Sequence, residues 1–301
     1  AGAAILVDAA QLAPHRRIDM RSDNDPEHLD FVTLSAHKMY APFGTGALVG
    51  PTEVFRHSAP EYCGGGTVEA VTLDEVDWSE PPEREEAGSP NVIGAVAMAA
   101  SARALEAMGM DAVAEHEGRL LRYALERLAR VPGIRIYGET EPDRACRDKV
   151  GVIPFNLEGV PHALTAAVLG YEWGVGVRNG CFCAHPYVVR LLGIGPEESR
   201  LWRSRVLEGD RSALPGMVRM SFGCYNEPAD VDRLVEGLRA IAAGRIRGCY
   251  EMDTAAGEYR PVGHHEHAAE TLPWLDEIDD GADGVAPSPG ALSPSPPRGA
   301  P

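Results

Sequence analysis

Lysine is almost absent from this 301-residue chain: Lys38 and Lys149 stand against 26 arginines. The first lies in "SAHKMYAPFGTGALVG" (35–50). A lysine amine can lose its proton and form an imine with a carbonyl, whereas a guanidinium stays protonated. A lysine kept at 38 therefore points to imine chemistry. Four other residues have types that would serve it. Asp8 closes the apolar run "AAILV" (3–7), and a carboxylate there would keep a heterocyclic nitrogen protonated through opposite charge. Gln11, three residues on, is an amide donor for a ring oxygen. Ser35 and His37 flank the lysine and are neutral donors for a phosphate, which suits a chain with a net charge of −17. Singly, each has a plainer reading as a turn cap or an exposed loop residue. The combination carries the weight.

Taken together, these residues match what pyridoxal phosphate requires: a lysine for its aldehyde and an acid for its pyridine nitrogen. The elements that must position them are legible in outline. Residues 3–7 read as a strand buried on both faces of a parallel sheet. Asp8 then lies at its C-terminal end, where open α/β sheets gather ligand groups. "FVTL" (31–34) and "GALV" (46–49) are two further strands around a Pro/Gly-rich loop. A helix is predicted over 92–108. The next is capped by Asp111, turns Val113, Leu120, Leu121, Ala124 and Leu128 to one face, and stops at Pro132-Gly133. Strands are predicted over 133–138, 150–159 and 218–223, and a helix over "PHALTAAVLG" (161–170). "VGVRNG" (175–180) reads as a strand running into a loop, and the polar stretch 195–210 as helical. A helix over 229–243 sets Val231, Leu234, Val235, Leu238 and Ile241 on one side, and Gly244 ends it. This divides the chain into part of a large α/β domain (1–124), a small α+β domain (125–250) and an irregular tail (251–301). An apolar strand at the very start predicts that the chain is the C-terminal part of a longer protein.

Composition narrows the partners. A 44% hydrophobic and 24% charged chain is ordinary for a globular protein. Its acidity argues against nucleic acid and anionic membrane surfaces. No apolar run reaches transmembrane length. Six cysteines in a chain this long do not make a disulfide scaffold, so a reducing cytoplasm is expected. Cys181, Cys183 and His185 alternate, and "HHEH" spans 264–267. Cys-x-Cys-x-His supplies three ligands at poor chelate spacing with no second pair, so no metal is expected.

"DAAQ" (8–11), "SAHKMYAPFGTGAL" (35–48), "GGGTVE" (64–69), "EAGSPN" (86–91), "VRNGCFCAHP" (177–186) and "VRMSFGCYNEPADVDRLVEGL" (218–238) occur in this order. Together they resemble the class V aminotransferase group of fold-type I pyridoxal-phosphate enzymes, most of all its cysteine desulfurase/selenocysteine lyase branch. The resemblance runs from residue 1 to about 245. It implies the C-terminal part of a large mixed-sheet domain followed by a smaller α+β domain. It implies that Lys38 carries the cofactor, Asp8 pairs with its ring nitrogen, Gln11 meets its phenolic oxygen, and Ser35 and His37 bind its phosphate. Ser89 stands where the family commonly has threonine; there the hydroxyl serves the phosphate of the neighbouring subunit, which implies a homodimer with shared active sites. Arg219 is implied as the grip on the amino-acid carboxylate, with Arg178 beside it. Cys183 is implied as the nucleophile that takes sulfur from L-cysteine as a persulfide, releases alanine, and hands the sulfur to an acceptor protein. A thiolate near Arg178 would be favoured electrostatically.

The chain also departs from the pattern. The desulfurase branch often has two histidines before this cysteine, where Cys181-Phe182 stands here. "GCFC" also resembles the loop of molybdenum-cofactor sulfurases. An aminotransferase, epimerase or lyase that uses Lys38 without Cys183, and a truncated non-catalytic member, are the alternatives.

Overall fold

The computed structural model describes residues 2–263. Strand β1 (Leu6–Asp8) pairs parallel with β2 (Phe31–Ser35), and β3 (Gly46–Val49) runs antiparallel to β2. A 3-10 turn, Ala36–Met39, follows β2 directly. The sheet order is β1-β2-β3, which leaves β1 at an edge. Ile5 and Leu6 are 52% and 59% exposed. The strand expected to be buried on both faces is thus an open edge, because no described element covers it.

Helix α1 (Thr52–His57) and the hairpin of β4 (Val68–Val71) and β5 (Val76–Trp78) come next. Their side chains are mostly exposed, so no apolar period marks them in the sequence. Helices α2 (Val92–Met108) and α3 (Met110–Leu128) meet at Gly109 with a 75° bend. Gly109 has φ 84°, a conformation that favours glycine, and it takes the N-cap position. Asp111, expected as the cap, lies instead in the first turn of α3, where its charge complements the helix dipole. No single helix among the described residues is long and apolar enough to cross a membrane.

The remainder builds around a second sheet. Its elements are β6 (Ile134–Ile136), α4 (Pro142–Asp148), β7 (Val152–Leu157), α5 (His162–Trp173), β8 (Arg178–Gly180), α6 (His185–Leu192), α7 (Pro196–Leu207), β9 (Met217–Ser221) and α8 (Pro228–Ala242). The strands lie in the order β6-β7-β9-β8, all antiparallel. Side chains alternate along a strand. Ile153, Phe155, Val218 and Met220 therefore enter one core with α3, α5 and α8, while Met217 packs on the other face with Tyr137, Cys181 and Val188. The boundary expected between residues 124 and 125 falls inside α3. Leu121 and Ala124 before it and Leu125 and Leu128 after it join the same core.

A hairpin of β10 (Tyr250–Asp253) and β11 (Glu258–Pro261) occupies the start of the stretch expected to be irregular from 251. It forms because β11 packs on α5, a tertiary contact that two four-residue strands do not announce in sequence. "HHEH" and the rest of the expected tail lie outside the described residues.

One buried ionic cluster ties the segment after β1 to the second sheet. His15 Nδ1 lies against Glu117 Oε2, and Arg16 donates to Glu117 Oε1 at 2.7 Å and to the Lys149 carbonyl at 3.1 Å. Gly151 allows this approach, since a Cβ there would sit 2.5 Å from Glu117 Cγ. Burial alone would raise the Glu117 carboxyl, but hydrogen bonds and charges from His15 and Arg16 outweigh it and hold the group below its usual range. A depressed carboxyl stabilises the fold above its unfolded value of about 4.3, and that contribution is lost as pH falls through the folded value. Glu117→Ala should therefore cost about 3–5 kcal/mol at neutral pH. Urea unfolding should show the gap to wild type closing in acid; a gap that stays constant down to pH ~3 would remove the ionised carboxylate from this account.

Candidate active site

Parallel pairing of β1 with β2 brings their C-terminal ends to one edge. Asp8 pairs in register with Thr33, and Ser35 ends β2 at the same edge. Asp8 Oδ1 accepts from Ala10 N at 3.0 Å and from Thr33 Oγ1 at 3.4 Å. Among the described residues nothing bonds to its other oxygen. Gln11 lies in the following turn, with Nε2 3.5 Å from His15 Nε2. Ser35 Oγ and His37 Nδ1 are 2.9 Å apart, so the two expected phosphate donors are already mutually oriented.

Lys38 sits in the 3-10 turn, half-buried, with no hydrogen bond or ion pair among the described residues. Lys149 differs: its Nζ donates to the Glu139 carbonyl at 3.4 Å, and burial lowers its pKa. The turn bearing Lys38 is held at both ends. Ala36 N donates to Thr45 O at 2.9 Å, and Tyr40, in the left-handed region at φ 66°, closes it. Tyr40 OH then accepts from Cys224 N at 3.0 Å, while its ring meets Tyr225 edge to face. Burial pushes the Tyr40 hydroxyl up to about 12, so it stays protonated across the physiological range. This contact joins the Lys38 turn to the segment that leaves β9.

On β9, Arg219 stands directly opposite Arg178 of β8. Like charges facing each other across strands repel, and among the described residues neither has a carboxylate partner. Burial first, and then the Arg178 charge, lower the Arg219 pKa. Arg219 Nε is buried without a partner among the described residues, and its guanidinium lies 5.2 Å from the centre of the Phe182 ring. Arg178 Nη2 donates to Cys183 Sγ at 3.6 Å. Cys183 is exposed, whereas Cys181 is buried, donates to the Pro215 carbonyl at 3.1 Å and has its thiol pKa raised by burial. Phe182 and Cys183 both have left-handed backbones, with φ 53° and 62°.

The structure thus gathers Asp8, Ser35, His37 and Lys38 at one sheet edge, and Arg178, Cys183 and Arg219 at another. Ser89 joins neither; it is exposed in the loop before α2. That loop is anchored near Lys38, because Asn91 caps α2 and donates to the Phe43 carbonyl. Sequence reasoning passed over Thr33, Tyr40 and Phe182. Thr33 is one alternation step from Ser35, which was a usable signal. Tyr40 and Phe182 act through contacts with distant segments and left none.

The donor set fits pyridoxal phosphate by its chemistry. Among the described residues it offers a carboxylate with an uncommitted oxygen, a lysine without a partner and a hydroxyl–imidazole pair. A lysine turn after parallel strands stands beside an antiparallel sheet that packs α3, α5 and α8 on one face and α6 on the other, and the architecture is that of fold-type I pyridoxal-phosphate enzymes. The chain belongs to the class-V aminotransferase family, whose profile matches residues 1–234. It is 35% identical over 241 residues to a cysteine desulfurase of Dickeya dadantii, covering 80% of this chain and 50% of that protein. A cysteine desulfurase of Serratia proteamaculans is 34% identical over 242 residues, with 80% and 52% covered. The apo cysteine desulfurase of Thermococcus onnurineus NA1 superposes with a TM-score of 0.67 at 32% identity, over 81% of this chain and 53% of that one. The Escherichia coli cysteine desulfurase CsdA, in an S-sulfonic acid form, gives 0.64 at 28%, with 81% and 53% covered. The chain spans about half the length of the curated relatives it matches.

Proposed function

We propose that the protein is a pyridoxal-phosphate-dependent cysteine desulfurase, to which this chain supplies the lysine, the substrate-binding arginines and the sulfur-accepting cysteine. The observation that carries this reading is the placement of Cys183 Sγ 3.6 Å from Arg178, whose strand partner is the buried Arg219. A thiol stands beside a pair of cations suited to a carboxylate. Pyridoxal phosphate, when bound, supplies an electron sink for the substrate's α-carbon. Asp8 would hold the proton at its ring nitrogen. Ser35 and His37 would bind its phosphate, Gln11 would meet its phenolic oxygen, and Lys38 would secure it and move the proton at the substrate's α-carbon. Arg219 orients the substrate carboxylate, with Arg178 alongside.

Cys183 then attacks the sulfur of L-cysteine. One S–S bond forms and the substrate C–S bond breaks. The sulfur leaves as an enzyme persulfide, the carbon skeleton gains a proton, and alanine is released. The atoms balance as cysteine plus thiol giving alanine plus persulfide, with no external oxidant. A sulfur-acceptor protein would take the persulfide from the exposed Cys183. Exposed Ser89, and exposed Val92, Ile93 and Val96 on α2, support a second copy of the chain against this side. Six free cysteines support a reducing compartment such as the cytoplasm.

With L-cysteine and no reducing thiol, the protein should release alanine in a single burst while Cys183 gains one sulfur atom by mass. Pyruvate and ammonia in place of alanine would make it a lyase and sink the proposal. Arg219→Lys should raise the KM for cysteine about 10–100-fold with the cofactor absorbance unchanged, because an ammonium cannot hold a carboxylate bidentately. An unchanged KM would take Arg219 out of carboxylate binding.

A further inference from the structure

Two consecutive loop residues divide the arginine pair between them. Arg178 and Arg219 face each other across β8 and β9, and their like charges push the guanidinium groups apart. Arg178 Nη2 reaches Cys183 Sγ at 3.6 Å, while the Arg219 guanidinium lies over the Phe182 ring, 5.2 Å from its centre. A guanidinium within about 6 Å of a ring face is attracted by the ring's quadrupole, and more strongly where water is excluded. Arg219 is half-buried, with no hydrogen bond or ion pair among the described residues. The ring face is the contact that holds it.

The backbone is shaped to present that ring. Ala184 N donates to the Cys181 carbonyl at 2.8 Å and closes a turn whose two central residues, Phe182 and Cys183, have φ 53° and 62°. Turns of this sense favour glycine, asparagine or aspartate at the centre. Here the centre carries an aromatic ring and a thiol. Such strain persists where the surroundings over-determine it. Cys181 fixes the start of the turn by donating to the Pro215 carbonyl at 3.1 Å, and Phe182 packs against the cluster of Tyr137, Cys181, Val188 and Met217.

The choice of a ring has a chemical consequence. A carboxylate or carbonyl at 182 would occupy the guanidinium N–H groups and compete with an incoming carboxylate. A ring face steadies the cation without taking a hydrogen bond from it, so the planar fork stays open for bidentate binding. We propose that Phe182 is a positioning residue that holds the Arg219 guanidinium ready for the substrate carboxylate. The inference rests on the desulfurase reading above, and it makes the carboxylate grip and the thiol depend on one turn.

Titration of the cofactor's visible band in the whole holoenzyme tests this, using L-alanine, which has the carboxylate, and ethylamine, which lacks it. Phe182→Leu removes the ring face and keeps an apolar side chain. It is expected to weaken L-alanine about three- to tenfold and to leave ethylamine unchanged. Phe182→Tyr keeps the face and should bind L-alanine as wild type does; a merely structural role would weaken both ligands alike. Equal weakening of both, or undiminished L-alanine affinity in Phe182→Leu, overturns the role of Phe182 alone. Phe182→Met gives the same comparison should the leucine variant not fold. A wild-type band that shifts with neither ligand, or no more readily with L-alanine than with ethylamine, overturns the underlying reading of the site and this inference with it.

Discussion

Replacing Cys183 by alanine is expected to leave the visible absorbance of the bound cofactor intact while cutting alanine release from L-cysteine by roughly 10³-fold or more. The two readouts separate because Cys183 lies in the loop between β8 and α6, whereas the residues proposed to hold the cofactor lie on the edge formed by β1 and β2. Removing the thiol takes away the group that attacks sulfur and leaves Asp8, Ser35, His37 and Lys38 in place. Cys181→Ala is the control. Its thiol is buried on the Pro215 carbonyl, so it should disturb packing without ending the chemistry. Undiminished turnover in Cys183→Ala would end the persulfide mechanism and leave a family member that uses only the lysine.

Lys38→Arg carries the other large effect. Arginine keeps the charge and much of the length but does not give up its proton. The variant is expected to lose the cofactor's visible band after gel filtration. Borohydride reduction should fix cofactor to the Lys38 peptide in wild type and to no peptide in the variant. Covalent capture elsewhere, for instance at the half-buried Lys149, would displace Lys38 as the anchor. Because this test reads attachment rather than turnover, it stands apart from the identity of the substrate.

Much of the candidate site was legible because its residues cluster in short segments. Asp8 and Gln11 lie three apart, and Ser35, His37 and Lys38 lie within four residues. Parallel pairing of two apolar runs then suffices to bring the groups together. Helices α3 and α8 were legible for a similar reason, since their apolar faces repeat with the helical period and enter one core. What was not legible depends on partners remote in sequence. Tyr40 meets Cys224 across 184 positions, and no local pattern encodes that. The edge position of β1 was hidden because an apolar run reads alike whether or not a neighbour covers it. The hairpin from Tyr250 was hidden because four-residue strands carry too short an alternation.

The backbone under the thiol has a mechanical consequence. Left-handed geometry costs an L-residue about 1–2 kcal/mol, and Phe182 and Cys183 bear it in succession. The tip between β8 and α6 is in effect a loaded spring. It is latched by Cys181 on Pro215 and by Arg178 on the thiol. Under the proposed sulfur transfer Cys183 would leave the arginine pair to deliver its atom, and relaxation of these two dihedrals would offset part of the cost of unlatching. The same strain that presents the sulfur to the arginine pair would thus help it leave.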